Sequence, residues 1–237
     1  ANKISGHRDG IYFEFVTNGR ISNNVSKNNI RYGLHFMFSD SCRYYSNQFE
    51  FNSAGVAVMY SHYVEMKNNK FNNNWGPASY GLLLKDITDS KITANEFIEN
   101  TSGIYIEGCN RSEFEKNLFE KNGWAVKLMA NSSDNLFTMN NFLSNTFDVS
   151  TNSRQNFSTF SSNYWSKYDG YDLNKNGIGD VPYRPVKLYS VMVEQNEPSL
   201  ILLNSIFIDL LDIAESVFPS LTPETLIDNT PLLKKIE

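Results

Sequence analysis

Asn95-Glu-Phe97-Ile-Glu-Asn100 decides the fold of this chain, because the same six-residue pattern returns on both sides of it. Asn47-Gln-Phe49-Glu-Phe-Asn52, Asn69-Lys-Phe71-Asn-Asn-Asn74, Asn117-Leu-Phe119-Glu-Lys-Asn122 and Asn140-Asn-Phe142-Leu-Ser-Asn145 repeat it, and Asn23-Asn-Val25-Ser-Lys-Asn28 repeats it with Val for Phe. The starts lie 24, 22, 26, 22 and 23 residues apart. A seventh copy opens at Asn163-Tyr-Trp165 and has Tyr168 where its second Asn would fall. A second marker, a glycine followed by alternating apolar residues, precedes these copies at Gly10, Gly33, Gly55, Gly81 and Gly103, and gives way to Ala125 and Asp148.

A period of about 22 residues holds three short strands and three turns, and repeats of this length specify solenoids. Gly33-Leu-His-Phe-Met-Phe38 alternates as a strand with one buried face. The Phe of each Asn-x-Phe points inward on another strand, so Phe49, Phe71, Phe97, Phe119 and Phe142 form an internal column. Asn suits the turns, since it tolerates left-handed backbone better than other non-glycine residues. Its amide also bonds to the Asn one coil above, as in stacked cross-β arrays. A leucine-rich horseshoe has a similar period but needs a Leu-x-x-Leu-x-Leu frame and a helical half-repeat, neither of which is present. The expected fold is all-β: a right-handed parallel β-helix of roughly 22–24-residue coils, stabilised by neighbour stacking, with a C-terminal helical or extended tail.

The chain has 237 residues, a net charge of −5 and a pI of about 5.3. An acidic balance argues against nucleic acid, which requires a basic face. No apolar run reaches the length of a membrane span. The chain opens at Ala1, near a repeat boundary, and the expectation is a processed or trimmed product lacking upstream coils. Cys42 and Cys109 fall on different parts of coils three rungs apart, roughly 14 Å along the axis at about 4.8 Å per rung. A disulfide needs Cα atoms within about 7 Å, so no internal bridge is expected.

Coils are expected over residues 1–170. Every Gly lies at or before Gly179, while six of the seven Pro follow it. A loop and linker occupy 171–185. In the loop, Asp172, Asn174, Asn176 and Asp180 alternate as oxygen ligands around Gly177, the pattern of a calcium loop, although Tyr183 stands where an EF-hand places its Glu. The plainer reading is an Asx-rich turn. Val181-Pro-Tyr-Arg-Pro185 is a stiff linker. The tail, 186–237, carries an expected helix at about 199–218, bounded by Pro198 and Pro219, with Asp209, Asp212 and Glu215 on one polar face. It would cap the solenoid end, dock on a partner, or both.

On the strand after each marker glycine, the outward positions read Tyr12, His35, Ala57, Leu83, Tyr105 and Lys127, and two residues on Glu14, Met37, Met59, Lys85, Glu107 and Met129. No row of paired acids appears. One cluster stands out. His35 and Met37 leave one strand face, Met59 stacks on Met37, Glu14 lies beneath, and His7 enters from the preceding turn. Outward methionines are uncommon, and thioether with imidazole is a soft ligand set suited to Cu(I). The plainer reading places these residues under the tail or a partner. His62 is expected to face solvent.

Ser5-Gly-His7-Arg-Asp-Gly-Ile-Tyr-Phe-Glu-Phe15, Tyr32-Gly-Leu-His-Phe-Met-Phe38, Gly55-Val-Ala-Val-Met-Tyr60, Asn74-Trp-Gly-Pro-Ala-Ser-Tyr-Gly-Leu-Leu-Leu84, and the run from Asn163-Tyr-Trp to Gly177-Ile-Gly-Asp-Val-Pro-Tyr183 together resemble the NosD family, as do the Leu-rich tail and Leu221-Thr-Pro-Glu-Thr225. That family comprises periplasmic β-helical accessory proteins for maturing nitrous oxide reductase. The resemblance implies a non-enzymatic periplasmic role beside a membrane ABC-type complex, an ATPase plus its membrane subunit. It also implies a copper-chaperone lipoprotein as donor and copper–sulfur centres of the reductase as destination. The family loop is richer in Asp than Asp172–Asp180 is here, and the resemblance does not assign copper ligands. Two other readings stay open: a carbohydrate-binding or carbohydrate-processing β-helix, argued from fold alone, and a purely structural docking adaptor.

Overall fold

The computed structural model describes residues 1–153, 156–218 and 226–237; the Leu221–Thr225 stretch and the Pro219 helix boundary lie outside them. Three parallel sheets run the length of a right-handed β-helix. The hexapeptide strands, from Lys3–Ser5 to Tyr164–Trp165, form one sheet. The strands after the marker glycine, from Asp9–Glu14 to Phe147–Ser150, form the second, here the marker sheet. A third sheet runs from Arg20–Ser22 to Thr159–Ser161.

Side-chain alternation sends one residue of each three-residue strand inward, and the rung repeat stacks like on like. Phe49, Phe71, Phe97, Phe119 and Phe142 are register partners and fully buried, with ring centroids 4.7–5.6 Å apart, and Trp165 extends the column. The first hexapeptide needs a one-residue correction. Ser26, not Val25, pairs with Phe49, so the copy begins at Asn24 and ends at Asn29. The doubled Asn23-Asn24 and Asn28-Asn29, with no Phe between, leave the frame ambiguous in sequence.

The asparagines form two buried ladders. In the first, the backbone N–H and Nδ2 of Asn24, Asn47, Asn69, Asn95, Asn117 and Asn140 each donate to Oδ1 of the next member, ending at Asn163. From Asn47 onward, Nδ2 also donates to a backbone carbonyl, as from Asn95 to Met66. The second ladder runs Asn29, Asn52, Asn74, Asn100, Asn122 and Asn145. None of these residues has the left-handed backbone expected of it. The residue before each does, for example Ser46, Ala94, Glu99 and Lys121 at φ 53–55°.

The marker glycine is required by close approach. A Cβ on Gly33, Gly55, Gly81 or Gly103 would meet the next rung's carbonyl oxygen at 2.5–2.7 Å. Gly33 and Gly55 would also press on a second-ladder amide, Asn52 or Asn74.

Each ladder ends on an aspartate. Asp228 is fully buried and accepts from Asn163 N–H and Nδ2 and from Trp165 Nε1. Asp148, at the last marker position, accepts from Asn145 Nδ2 and from the Tyr183 hydroxyl. A carboxylate offers two acceptor oxygens, so it takes the ladder's last donors without needing a partner above.

The expected 199–218 helix is broken. A 3₁₀ helix, Glu197–Leu202, is followed by Asn204 at φ 64° and then by α2, Ile206–Val217; α1, Leu188–Gln195, was not anticipated. These helices do not cap the rod. They pack on the outside of the marker sheet, where Tyr189, Val193 and Ile208 meet Phe147 and Trp124. Tyr183, Val186 and Leu226 close the end instead, through a Tyr183–Asp228 backbone bridge. Among the described residues no helix is long and apolar enough to cross a membrane.

Candidate functional site

The outward face of the marker sheet follows the expected register. Tyr12, His35, Ala57, Leu83, Tyr105 and Lys127 occupy one row, and Glu14, Met37, Met59, Lys85 and Glu107 the next. Met37 and Met59 are direct rung partners and half-buried, which is the register expected for them. Met129 instead is buried, at 6% exposure, and lies outside the candidate set.

His35 differs from its expectation. Its side chain leaves on the outer face, yet the residue is only 7% exposed, and neither ring nitrogen has a hydrogen-bond partner. Tyr12 packs edge-on against the imidazole at 5.4 Å and Tyr32 lies tilted against it at 4.7 Å. The Arg31 guanidinium covers Tyr32 at 4.5 Å. Burial lowers the imidazole pKa below its ordinary range, against the opposing pull of Asp9. That shift favours the neutral ring, the form that binds metal.

Glu14 is the register partner of Met37 and accepts the Tyr12 hydroxyl at 2.9 Å. That bond raises the Tyr12 pKa. His7 is exposed in the turn before the first marker strand, where its backbone bonds to Asn29 and Ile30. The structure thus groups His35 with Tyr12 and Tyr32, and Met37 with Met59 and Glu14. It does not bring His7 into contact with them. His62 is exposed, as expected, with Nδ1 2.6 Å from the Thr88 hydroxyl.

An element missed in the sequence borders the methionines. Phe15, Phe38 and Tyr60, each directly after Glu14, Met37 or Met59, stack at 5.3 and 5.1 Å on the exterior. All three have left-handed backbone, φ 48–55°, unusual for bulky residues, and are 42–73% exposed. An aromatic following each outward Glu or Met was the available signal. Ring faces in such a stack are turned to each other, which leaves mainly edges for a visitor.

Elsewhere some surface charges pair rung to rung, as in Lys70–Glu96, Lys85–Glu107, Lys91–Glu113 and Arg111–Asp89. Part of the scatter seen in sequence is thus ordered into exposed pairs, while Lys116–Glu115 and Lys121–Glu120 pair between sequence neighbours. In the 172–180 loop, Asp172 accepts from the backbone N–H of Asn176 and Gly177, Asn174 from Asn176, Asn176 from Ile178, and Asp180 from Leu173. Among the described residues no three His, Cys, Asp or Glu side chains converge as a metal cluster. Cys42 and Cys109 are buried free thiols, and burial pushes the Cys109 pKa up to about 12, away from the thiolate a metal would need.

A family model described as "Periplasmic copper-binding protein (NosD)" matches residues 1–170. The curated "Probable ABC transporter binding protein NosD" of Stutzerimonas stutzeri is 30% identical over 174 residues, covering 66% of this chain and 40% of that protein. The protein of the same name from Pseudomonas aeruginosa is 28% identical over 173 residues, with the same coverage. The chain therefore spans 40% of the length of these relatives. Among solved structures, the A-module of the Azotobacter vinelandii mannuronan C-5 epimerase AlgE4 superposes with a TM-score of 0.48 at 14% identity, covering 66% of this chain and 59% of that one. That likeness is too loose to bear on chemistry.

Proposed function

This chain belongs to the NosD family of periplasmic copper-binding proteins, and from that premise we propose that it is a non-enzymatic scaffold that carries copper as cargo toward the copper–sulfur centres of nitrous oxide reductase. The observation that carries the proposal is the methionine pair, Met37 on Met59 in register, with a buried and unpartnered His35 two residues along the same strand. Thioether and imidazole favour Cu(I) over harder ions. A site of few, neutral, soft ligands holds the ion loosely enough to pass it on. Glu14 adds a negative charge next to Met37 and draws a cation in; His7 is a secondary, exposed candidate.

The proposed partners are a membrane ABC-type complex, a copper-chaperone lipoprotein and the reductase. The relatives' name, ABC transporter binding protein, supports the first. The test is replacement of His35, Met37 and Met59 by Ala together in the complete protein, in cells that depend on it. Reductase that lacks copper, with the variant still folded and abundant, is expected; normal maturation would remove these residues from the role.

The adaptor reading rests on α2, whose Ile206, Leu210 and Val217 are 60–78% exposed and available to a protein partner. It differs from the main reading in needing no copper on this chain. A carbohydrate reading has less support, since the outer rows of the marker sheet hold Tyr12, His35, Ala57, Leu83 and Tyr105, then Glu14, Met37, Met59, Lys85 and Glu107, with no run of stacked acids. Calcium at Asp172, Asn174, Asn176 and Asp180 is a separate proposal, supported by their alternation and by the turn that Asp172 ties; a rise in melting temperature with calcium that Asp172→Ala abolishes would sustain it.

A further inference from the structure

We infer that the C-terminal end of the rod is a strand-binding slot keyed to a carboxylate, filled here by this chain's own residues 226–233 and fitted equally to the same segment of a second copy. Within the coils, a ladder asparagine reaches its partner 22–26 residues away. The next member of that ladder is Asp228, 65 residues beyond Asn163. The segment around it lies between two walls. On the rod side, Asp228 bridges Phe160 and Leu232 bridges Tyr164, both in parallel as an added rung would, and Leu232 N–H donates to the Asn163 carbonyl at 2.9 Å. On the far side the bridges are antiparallel, Tyr183 to Asp228 and Ile178 to Leu232, and Gly179 N–H donates to the Pro231 carbonyl at 2.8 Å. Main-chain pairing of this kind is how a separate extended peptide adds to a sheet edge.

One buried side chain supplies the selectivity. Asp228 is fully buried, and four rod donors converge on its carboxylate: Ser162 N–H at 3.1 Å, Asn163 N–H at 3.0 Å, Asn163 Nδ2 at 3.1 Å and Trp165 Nε1 at 3.0 Å. Thr230 N–H adds a fifth from the segment itself. An amide here would turn its own N–H groups against donors, so the slot selects a carboxylate over Asn. Without the segment these donors lose their acceptor and the rod ends on an open sheet edge, a ready template for another chain. The sequence seen to fit the slot is this chain's own, and that fixes the occupant as a second copy. Seating the segment in trans repeats every slot contact made in cis. The cis arrangement adds only tethering, an advantage that falls as the connection lengthens. Reciprocal exchange between two copies closes as a two-fold dimer. The inference is independent of the copper reading and uses none of its residues.

The test uses two variants of the full chain, each crippled on one side. Asp228→Lys sets an ammonium against the four donors, which spoils the segment and spares the slot. Asn163→Asp sets a carboxylate against Asp228, which spoils the slot and spares the segment. Each alone should sediment as a monomer with the parent's circular dichroism, and their mixture should give a one-to-one heterodimer. A mixture of folded chains that stays monomeric, or dimerisation of either chain alone, overturns the inference. A second arm decides if either variant fails to fold. The Ser162 and Thr230 hydroxyls lie 3.2 Å apart in the slot, and Cys42 and Cys109 are buried. A chain carrying both Ser162→Cys and Thr230→Cys should form an internal disulfide under mild oxidation; failure to do so overturns the seating of the segment. Mixing the two singly substituted chains should give a covalent heterodimer. Adding Asp228→Lys to the Thr230→Cys chain should cut its yield at least about tenfold, since a hydrogen bond to a charged group is worth roughly a factor of ten. No heterodimer overturns the exchange, and a heterodimer indifferent to Asp228→Lys overturns the carboxylate key.

Discussion

Asn95 illustrates what one side chain does in this rod. It accepts from Asn69 N–H and Nδ2, and it donates through its own N–H and Nδ2 to Asn117 and through Nδ2 to the Met66 carbonyl. Asn69, Asn117 and Asn140 make the same set, an acceptor facing one rung and donors facing the next and the strand. Asn95→Ala should therefore strand several buried groups and lower stability by about 3–5 kcal/mol in urea unfolding, at 1–3 kcal/mol per unsatisfied group. This role was legible in sequence because the spacing repeats, but the backbone role given to the same residue was not correct. The left-handed position falls one residue earlier and is filled by Asn in four places (Asn23, Asn28, Asn68 and Asn73) and otherwise by Ser, Ala, Glu, Lys, Met or Phe, so no single residue type marks it. His35 was legible as outward and illegible as buried, because the rings that cover it come partly from Tyr12 on the neighbouring coil, and alternation along one strand carries no information about that.

At the scale of the element, the marker glycine and the second Asn ladder are one device: the absent side chain leaves room for the next rung's carbonyl and, at Gly33 and Gly55, for a ladder amide. Gly81→Ala would place its Cβ 2.7 Å from the Gly103 carbonyl oxygen, with backbone that cannot retreat without breaking the sheet. A loss of about 1–3 kcal/mol is expected, the usual cost of overpacking, read as a lower urea midpoint with an unchanged slope; a neutral result would mean that the rung spacing is looser than described. The sequence signal was weaker in the tail. Its helical stretch was readable from apolar spacing, but Asn204 sits in the left-handed region and divides it, a helix-stop property that a single internal Asn does not announce. The short α1 helix lay hidden because none of its residues caps it through a side chain and its buried face matches Phe147, a residue 42 positions away from Tyr189 in sequence.

Across the whole molecule, the rod is quasi-one-dimensional and each coil is stabilised by its neighbours, so the described C-terminal end has to be closed chemically. It is closed by two carboxylates that terminate two amide ladders, Asp228 and Asp148. Burial raises the Asp148 pKa, with Lys167 opposing. A raised folded-state pKa means that the folded protein holds this proton longer than the unfolded chain. The group's contribution to stability is then fully present below the ordinary value of 3.8 and is lost as pH rises through the folded value. Thermal unfolding should thus show an Asp148-dependent decline in stability from acid toward neutral pH, and Asp148→Asn should flatten that part of the profile. On the same rod, the outer face of the marker sheet is where the proposed function lies, and copper on this chain itself is its central claim. Anaerobic titration of the full chain with Cu(I) against a competing chelator tests that claim most directly. The account predicts one Cu(I) retained per chain, lost when His35, Met37 and Met59 are replaced by Ala; no retention above the chelator control, or retention unaffected by the triple replacement, would contradict it.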